Sequence, residues 1–336
     1  MKLFLSALIL AVILLLPDFT YAKKLSKLKV DGKHIVNDEG EVVRLRGVSF
    51  SDPDKLEKDG QWNKSYFNEA RNWGCNVVRF AIHPTALNER GWEKYFELVD
   101  KGVKLAEEQG MYVIIDWHSI GNLNTEKYMR DNYTTTWKET VKFWKTVAKR
   151  YKGNPTAAVY ELFNEPTSMG GDLGELSWAT WKPTMEKLID IIHEIDKDKI
   201  SLVAGMNWGY FLDEAIENPV DRKNVAYCSH PYPQKREQPW ETKWEEDWGH
   251  VADKYPIIAT EFGFMYPDEK GAHIPCISDE TYGKAIIDYF NKKGISFTVW
   301  CFDPNWSPTL FNDWDFTLSK QGTFFKNVLQ KMDKAD

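Results

Sequence analysis

The sequence lacks several patterns that would place it in common classes of protein. It has no GxGxxG or GxxxxGK[ST] loop for a nucleotide phosphate and no GxSxG turn for a nucleophilic serine. No CxxC or HxxxH spacing suggests a structural metal. The net charge is -7 and the chain has no run of basic residues, so nucleic acid is not an expected partner. No linker, internal repeat or low-complexity tail divides the chain, so residues 23–336 are predicted to form one large domain.

Cysteine is also scarce, with four residues in 336. An even number in an exported chain permits disulfides. Three of the four lie in or beside predicted core strands, where a cysteine behaves as a small buried apolar residue. We therefore expect free thiols at Cys75, Cys228, Cys276 and Cys301.

Only the first 22 residues contain a long apolar run. Lys2 precedes an apolar stretch over residues 3–16, and Thr20 and Ala22 place small residues before a cleavage point. This layout predicts a secretory signal peptide over residues 1–22. A membrane anchor is the alternative, but the run is shorter than the roughly 20 residues that span a bilayer. We expect a secreted protein, extracellular or periplasmic, that is monomeric and has no membrane contact after cleavage.

After residue 22 the chain alternates short apolar strands with longer amphipathic helices. Two strands, 28–36 and 41–50, are predicted to form an N-terminal hairpin around a turn at residues 37–40. The pattern favours an α/β fold, a (β/α)8 barrel capped at the bottom by the hairpin, with an open doubly wound sheet as the alternative. The predicted strands are 43–50, 76–82, 112–117, 157–163, 200–204, 225–230, 257–261 and 296–302, and the main predicted helices are 92–108, 136–151, 178–195, 280–293 and 321–331.

Two of these strands end in a glutamate. The apolar run 159–166 closes on Asn164, Glu165 and a proline, and the run 256–263 contains Glu261. The carboxyl ends of parallel strands are where α/β folds place their chemistry. Two carboxylates meeting there point to hydrolysis of a glycosidic bond.

Other strands of the predicted barrel end in polar or aromatic side chains. An isolated charge at a buried strand end is strongly disfavoured, so these groups are expected to be partners around a ligand. The candidates are Arg79, His118, Asn164, His230, Tyr232 and Trp300.

Together, the eight positions resemble glycoside hydrolase family 5, the cellulase family of retaining enzymes, over the whole mature chain. The resemblance implies that Glu165 is the general acid/base, protonated to assist departure of the leaving group and then ionised to activate water. It also implies that Glu261 is the nucleophile. Arg79 and Tyr232 would hold that carboxylate ionised.

The same resemblance assigns the remaining four positions to the substrate. Asn164 would bind the 2-hydroxyl of the sugar, and Trp300 would stack under its ring. His118 and His230 would orient hydroxyls and tune Glu165. No cofactor or metal is implied.

The family resemblance implies a β-linked polysaccharide as substrate, and we expect an endo-acting β-1,4-glucanase. A β-mannanase, a mixed-linkage glucanase and a xyloglucanase stay open as alternatives on the same scaffold. Outside the glycosidases, metal-dependent hydrolysis and a non-catalytic carbohydrate-binding barrel are the rival hypotheses. The predicted loops 122–132 and 265–277 are expected to wall the cleft. Further substrate contacts are expected from some of the loop residues Trp117, Trp208, Trp240, Trp306, Trp314, Phe302, Asp303 and Asn305.

Overall fold

The computed structural model of the protein describes residues 25–335, so the predicted signal peptide lies outside the described residues. Eight parallel strands close into a barrel, which confirms the (β/α)8 prediction. Val48 of the first strand lies opposite Val78 of the second, and the last strand pairs back onto the first. We number the barrel strands 1 to 8: Arg46–Phe50, Val77–Ile82, Tyr112–Trp117, Ala157–Glu161, Ile200–Ala204, Val225–Cys228, Ile257–Ala259 and Ser296–Val299.

The helices pack around the barrel and begin at side chains that cap them. Asn63, Thr136, Asp279 and Ser319 each accept a hydrogen bond from a backbone N–H of the first turn. All five main predicted helices are present, two of them with the predicted bounds. The α-helices are Pro53–Lys58, Lys64–Asn72, Pro84–Arg90, Trp92–Glu108, Trp137–Arg150, Trp178–His193, Met206–Gly209, Asp213–Glu217, Trp240–Asp247, Glu280–Lys293 and Lys320–Asp333.

The N-terminal hairpin is present but shorter than predicted. Its strands are Lys29–Asp31 and His34–Val36, and the chain reverses at Gly32, whose φ of 57° suits glycine. The predicted strand 28–36 therefore contains the turn. The turn predicted at residues 37–40 also forms, with Gly40 N–H bonded to the carbonyl of Asn37 at 3.1 Å.

The core has two layers. Between strands and helices lies a large apolar cluster rich in aromatic rings. A second cluster fills the barrel interior near the amino ends of the strands, where Leu28 and Ile35 join Leu45, Val77 and Ile200. The hairpin thus fills the bottom of the barrel, as expected of a cap. Within residues 25–335, every helix is too short or too polar to cross a membrane.

Candidate active site

Six of the eight predicted site residues line a cleft of about 860 Å³ at the mouth of the barrel. Arg79, in the middle of strand 2, and His230 lie behind the two glutamates and complete the predicted set of eight. Each of them is at most 9% exposed. The predicted wall loops also line this cleft, through Met129, Arg130 and Asn132 on one side and residues 273–276 on the other.

Glu165 is fixed by a small sheet at the mouth. Its two-residue strand, Glu165–Pro166, pairs in parallel with Ile120–Asn122, and Lys127–Tyr128 completes the sheet. The backbone N–H of Glu165 donates to the carbonyl of Ser119 at 3.1 Å. The loop after strand 3 therefore sets where the side chain of Glu165 points.

Glu165 and Glu261 face each other across the cleft. A carboxylate oxygen from each, together with a ring nitrogen of His230, lie within 4.8 Å of one another. His230 Nδ1 is 2.9 Å from Glu165 Oε1. The separation of the Glu165 and Glu261 oxygens is close to the carboxyl spacing of about 5–5.5 Å in retaining glycosidases and below the roughly 6.5–9.5 Å of inverting ones.

Arg79 is the central cation of the site. Its guanidinium is 3.1 Å from Glu261 Oε1, as the sequence suggested, but its shorter bonds go elsewhere. It donates to Glu161 Oε2 at 2.6 Å and to Asn164 Oδ1 at 2.6 Å, and it lies 2.9 Å from Asp116. One buried cation thus faces three carboxyl groups.

Sequence analysis missed three members of this cluster: Asp116, Glu161 and Thr260. Each side chain points into the barrel and is fully buried. Thr260 donates to Glu161 Oε1 at 2.8 Å, and its hydroxyl oxygen lies 3.0 Å from His230 Nε2. For Asp116 and Glu161 the available signal was an acid inside an otherwise apolar strand, since a buried charge requires a partner. Thr260 carried no such signal.

A continuous set of contacts therefore joins the two mouth glutamates beneath the cleft. From Glu165 it passes to His230, Thr260 and Glu161, and then through Arg79 to Glu261.

His118 makes a different contact from the predicted one. Its Nδ1 is 2.7 Å from Asp116 Oδ2 and 3.9 Å from Glu261, and no hydrogen bond joins it to Glu165. Burial lowers the pKa of His118 well below its usual value. Only His230, of the two histidines, is placed to tune Glu165.

Burial separates the protonation states of the buried acids. It raises the pKa of Asp116 well above its usual value, against the opposing charge of Arg79. For Glu161 burial acts in the same direction, but the charge and hydrogen bonds of Arg79, with the charge of His230, lower its pKa to about 2. Burial also raises the pKa of Glu261, although His230 and Arg79 oppose it. Asp116 therefore keeps its proton more readily than Glu161 does.

His230 is held as a cation. Burial by itself lowers its pKa, but nearby carboxylates, Glu261 first, leave it well above the usual value. Both ring nitrogens then donate, one to Glu165 and the other to Thr260.

Polar groups also reach the cleft around Glu261. Tyr232 donates its hydroxyl to Glu261 Oε2 at 3.1 Å. Asn164 uses its carbonyl oxygen for Arg79, and its amide nitrogen is buried without a partner among the described residues. That amide is free to donate to a hydroxyl of a bound sugar.

Trp300 forms an aromatic wall. Its ring is stacked with that of His118 at a centroid distance of 5.4 Å and lies 5.9 Å from that of Trp306. The indole N–H donates to the carbonyl of Ser307 at 3.2 Å, and Gln321 bonds the backbone carbonyl of Trp300 at 3.1 Å. The ring is therefore fixed before any ligand arrives.

Some of the candidate aromatic residues reach the cleft, as expected. Trp208 and Trp306 line it, whereas Trp117 is fully buried against Phe143 and Trp240 stacks on Trp244. The expectation fails for Phe302 and Asp303 as well. Both are fully buried, and Asp303 is bound to Lys55 at 2.5 Å. These side chains hold the loop after strand 8 from below.

The four cysteines are free and buried. Burial raises the pKa of the Cys228 thiol, so a thiolate ligand is disfavoured where Glu161, Cys228 and His230 approach one another. At the other such group, Glu165, His230 and Glu261, the histidine is cationic and Arg79 lies beside Glu261. Both groups are therefore poor fits for a metal ion.

A closed parallel barrel with two carboxylates facing each other across its mouth defines a glycoside hydrolase of the retaining kind. The family model for cellulase, glycosyl hydrolase family 5, matches residues 36–306. The chain belongs to this family.

Known proteins show the same relationship. Endoglucanase A of Butyrivibrio fibrisolvens is 26% identical over 290 residues, which are 83% of this chain and 60% of that longer relative. A beta-glucanase of Saccharophagus degradans, solved in complex with cellotetraose, is 47% identical over 94% of this chain and 96% of its own, with a TM-score of 0.91. The catalytic domain of a Thermobifida fusca endoglucanase shares the fold at 22% identity, with a TM-score of 0.74 over 90% of this chain and 97% of its own.

Proposed function

We propose that the protein is a secreted, endo-acting β-1,4-glucanase that hydrolyses β-glucan by a retaining double displacement. The observation that carries the proposal is the approach of Glu165 and Glu261, whose oxygens lie within 4.8 Å of one another. This spacing leaves no room for a water between nucleophile and sugar, so attack by the carboxylate itself is favoured. The N-terminal pattern of residues 1–22 supports secretion.

In the first half-reaction, the Glu261 carboxylate attacks the anomeric carbon. The new carbon–oxygen bond forms as the glycosidic bond breaks, and Glu165 gives its proton to the departing oxygen. Tyr232 and Arg79 hold the attacking carboxylate at 3.1 Å each. The free amide of Asn164 is placed to bind the 2-hydroxyl as charge develops on the sugar.

In the second half-reaction, water takes the place of the departed chain. Glu165, now ionised, accepts a proton from this water, which attacks the anomeric carbon and releases Glu261. His230 Nδ1, 2.9 Å from Glu165 Oε1, holds the carboxylate that accepts this proton in place. Two inversions give net retention.

A linear β-glucan is the substrate class that the cleft supports best. Trp300 and Trp306 offer flat apolar faces of the kind that sugar rings stack on, and the cleft is open at the mouth. The named relatives are endoglucanases, and the Saccharophagus beta-glucanase was solved with cellotetraose. β-Mannan is the second candidate, because the same two carboxylates serve either sugar.

The test is release of reducing ends, with viscosity, from carboxymethyl cellulose, barley β-glucan, xyloglucan and galactomannan. A rapid fall in viscosity on the glucans with little release from galactomannan is the expected result. Preference for galactomannan would move the function to mannanase. Activity that a chelator abolishes would instead support a metal-dependent reaction.

Substitutions at the two glutamates test their roles in the same assay. Glu165→Gln and Glu261→Gln are each expected to lower kcat on polymer by at least about a thousandfold, because the first lacks the acid/base and the second lacks the nucleophile. Dinitrophenyl cellobioside separates the two, since its leaving group departs without a proton. Glu165→Gln should still release a burst of dinitrophenol, and Glu261→Gln should not.

Glu97→Gln is the matched control, because Glu97 is exposed on a helix away from the cleft. It should behave as wild type. Near wild-type rates in folded Glu165→Gln and Glu261→Gln would sink the assignment.

A further inference from the structure

The cleft has two halves, which we define by the strands that carry them. Trp300 and Trp306 follow strand 8, and Trp306 reaches His83 after strand 2 at a ring-centroid distance of 5.0 Å. Across the mouth, the loops after strands 5 and 6 supply Trp208 and Lys235. We call the first the tryptophan half and the second the lysine half.

The proton donor lies toward the lysine half. Glu165 follows strand 4, which pairs with strand 5, and the loop after strand 5 carries Trp208. In the proposed reaction the leaving sugar is on the side of the proton donor. The lysine half therefore receives the leaving-group end of the chain, and Trp300 lies under the sugar at the other side of the bond.

Lys235 is a half-buried cation without an acidic partner. Its Nζ lies 5.3 Å from the ring centroid of Trp208 and 5.9 Å from that of Tyr210. Its hydrogen bond is a long one, 3.4 Å to the carbonyl of Asn207. No carboxylate of the described residues lies within 4 Å of it, whereas Arg236, its neighbour, is paired with Asp247 at 2.7 Å.

The described lining of the cleft carries two acids, Glu165 and Glu261, and two basic residues, Lys235 and Arg130. Both acids have a role in the proposed reaction, whereas neither basic side chain lies within 4 Å of a carboxylate of the described residues. The two-glutamate chemistry therefore does not explain why Lys235 lies in the cleft.

Burial makes the Lys235 ammonium group costly when no ligand is bound. It lowers the pKa of Lys235, and Glu165 and Glu261, whose charges oppose this effect, are used by the proposed reaction. A carboxylate on the ligand would satisfy this ammonium group by a charge-assisted hydrogen bond. Trp208, held by a hydrogen bond from its indole N–H to Met129 Sδ at 3.0 Å, would supply the apolar face for the same sugar.

We propose that the lysine half is a binding site for a sugar that bears a carboxylate, with Lys235 as its ionic partner and Trp208 as its stacking platform. The enzyme would then cleave oxidised β-glucan chains in addition to neutral ones. The carboxylate can come from an aldonate at the reducing end or from a uronate within the chain. This inference rests on the proposed glucanase function.

The test compares three sets of oligosaccharides of equal length: cellopentaose, its aldonate obtained by oxidising the reducing end, and cello-oligosaccharides oxidised at carbon six. Wild type should show a kcat/KM about fivefold higher on at least one carboxylate substrate than on cellopentaose, the size expected for one partly exposed ion pair. Which substrate is preferred identifies the source of the carboxylate. The preference should shrink as salt is added.

Lys235→Met should abolish this ratio, and Lys235→Arg should keep most of it. Lys243→Met is the control, because Lys243 lies outside the cleft and pairs with Glu246 at 2.7 Å. Equal rates on all substrates with wild type, or an unchanged ratio in Lys235→Met, overturn the carboxylate site and leave the glucanase function standing. No cleavage of cellopentaose by wild type overturns the glucanase function itself.

Discussion

Glu161 is the buried carboxylate that Arg79 binds through two nitrogen atoms. It accepts two bonds from Arg79, at 2.6 and 3.1 Å, and one from Thr260 at 2.8 Å. Without it, the Arg79 guanidinium would be shared between Glu261 and Asp116 alone. Breaking a buried pair by removing one partner typically costs about 3–5 kcal/mol, because the other charge stays buried.

Glu161→Gln should therefore lower the free energy of unfolding by about 3 kcal/mol near neutral pH. The folded-state pKa of Glu161, about 2, lies below its usual 4.5, so its contribution is present above pH 4.5 and is lost as the pH falls toward 2. A depression of this size corresponds to about 3 kcal/mol. The loss of wild-type stability in that window should become shallower in the variant. Urea unfolding at several pH values measures both effects.

The control for Glu161 is Asp190→Asn. Asp190 pairs with Arg222 at 2.5 Å, but the two side chains are 51% and 31% exposed. Exposed pairs contribute about 0–1 kcal/mol. Equal losses in the two variants would show that burial gives the Arg79 cluster no special weight.

The functional residues at the strand ends could be predicted from the sequence, but the buried acids inside the strands, beneath the cleft, could not. Glu165 and Glu261 stand where an apolar run stops, which is a local signal. Glu161 stands inside such a run, and its partner Arg79 is 82 positions away. Pairings across strands need the barrel register, which no single sequence segment contains.

Among the elements, strand 1 contains a position, Gly47, where only glycine fits against the neighbouring strand. Gly47 pairs with Val77 of strand 2, and a Cβ at Gly47 would lie 1.8 Å from the Val77 carbonyl oxygen. Ser49 and Arg79 pair two residues further along the same two strands. The close approach at Gly47 thus sets the separation between strand 1 and strand 2, which carries Arg79.

Gly47→Ala should lower the free energy of unfolding by at least about 3 kcal/mol, because the two strands must separate or a ladder bond must break. Activity of the folded fraction should fall as well, since Arg79 moves with strand 2. Thermal unfolding and reducing-sugar release measure the two effects. Gly40→Ala is the control: its φ of 84° disfavours alanine by about 1–2 kcal/mol, but nothing lies within 4 Å of the added atom. A smaller loss at Gly47 than at Gly40 would contradict the close-approach argument.

Regular elements were the most predictable part of the chain. Trp92–Glu108 and Glu280–Lys293 follow from their amphipathic spacing alone. The hairpin was misplaced because the turn signal at Asp31 and Gly32, which interrupts the apolar pattern, was included in the predicted strand 28–36. The position of a residue near the mouth could be predicted from the sequence, but the direction in which the side chains of Trp117 and Trp240 point could not.

For the molecule as a whole, stability and chemistry lie at opposite ends of the barrel. Leu28 and Ile35 fill the bottom, and the carboxylates stand at the top. Barrels of this kind commonly divide the two tasks in this way.

Ile35→Ala should therefore destabilise the protein by about 3 kcal/mol through the cavity it leaves, while kcat/KM of the folded enzyme stays unchanged. Val42→Ala, at a 51% exposed position just after the hairpin, should change neither quantity by much. Urea unfolding and steady-state kinetics on one substrate give the comparison. A fall in kcat/KM of Ile35→Ala at temperatures where it is fully folded would show that the two ends are coupled.

The filled bottom has a consequence for the fate of the glycosyl-enzyme intermediate. In residues 25–335 the apolar cluster closes the bottom, so in the proposed reaction the group that resolves the ester enters from the mouth, through the space that the leaving chain has vacated. Water and the hydroxyl of a second sugar would then compete for one position next to the same base. If the proposed mechanism holds, the balance between hydrolysis and transfer to a second sugar depends on the concentration of free oligosaccharide.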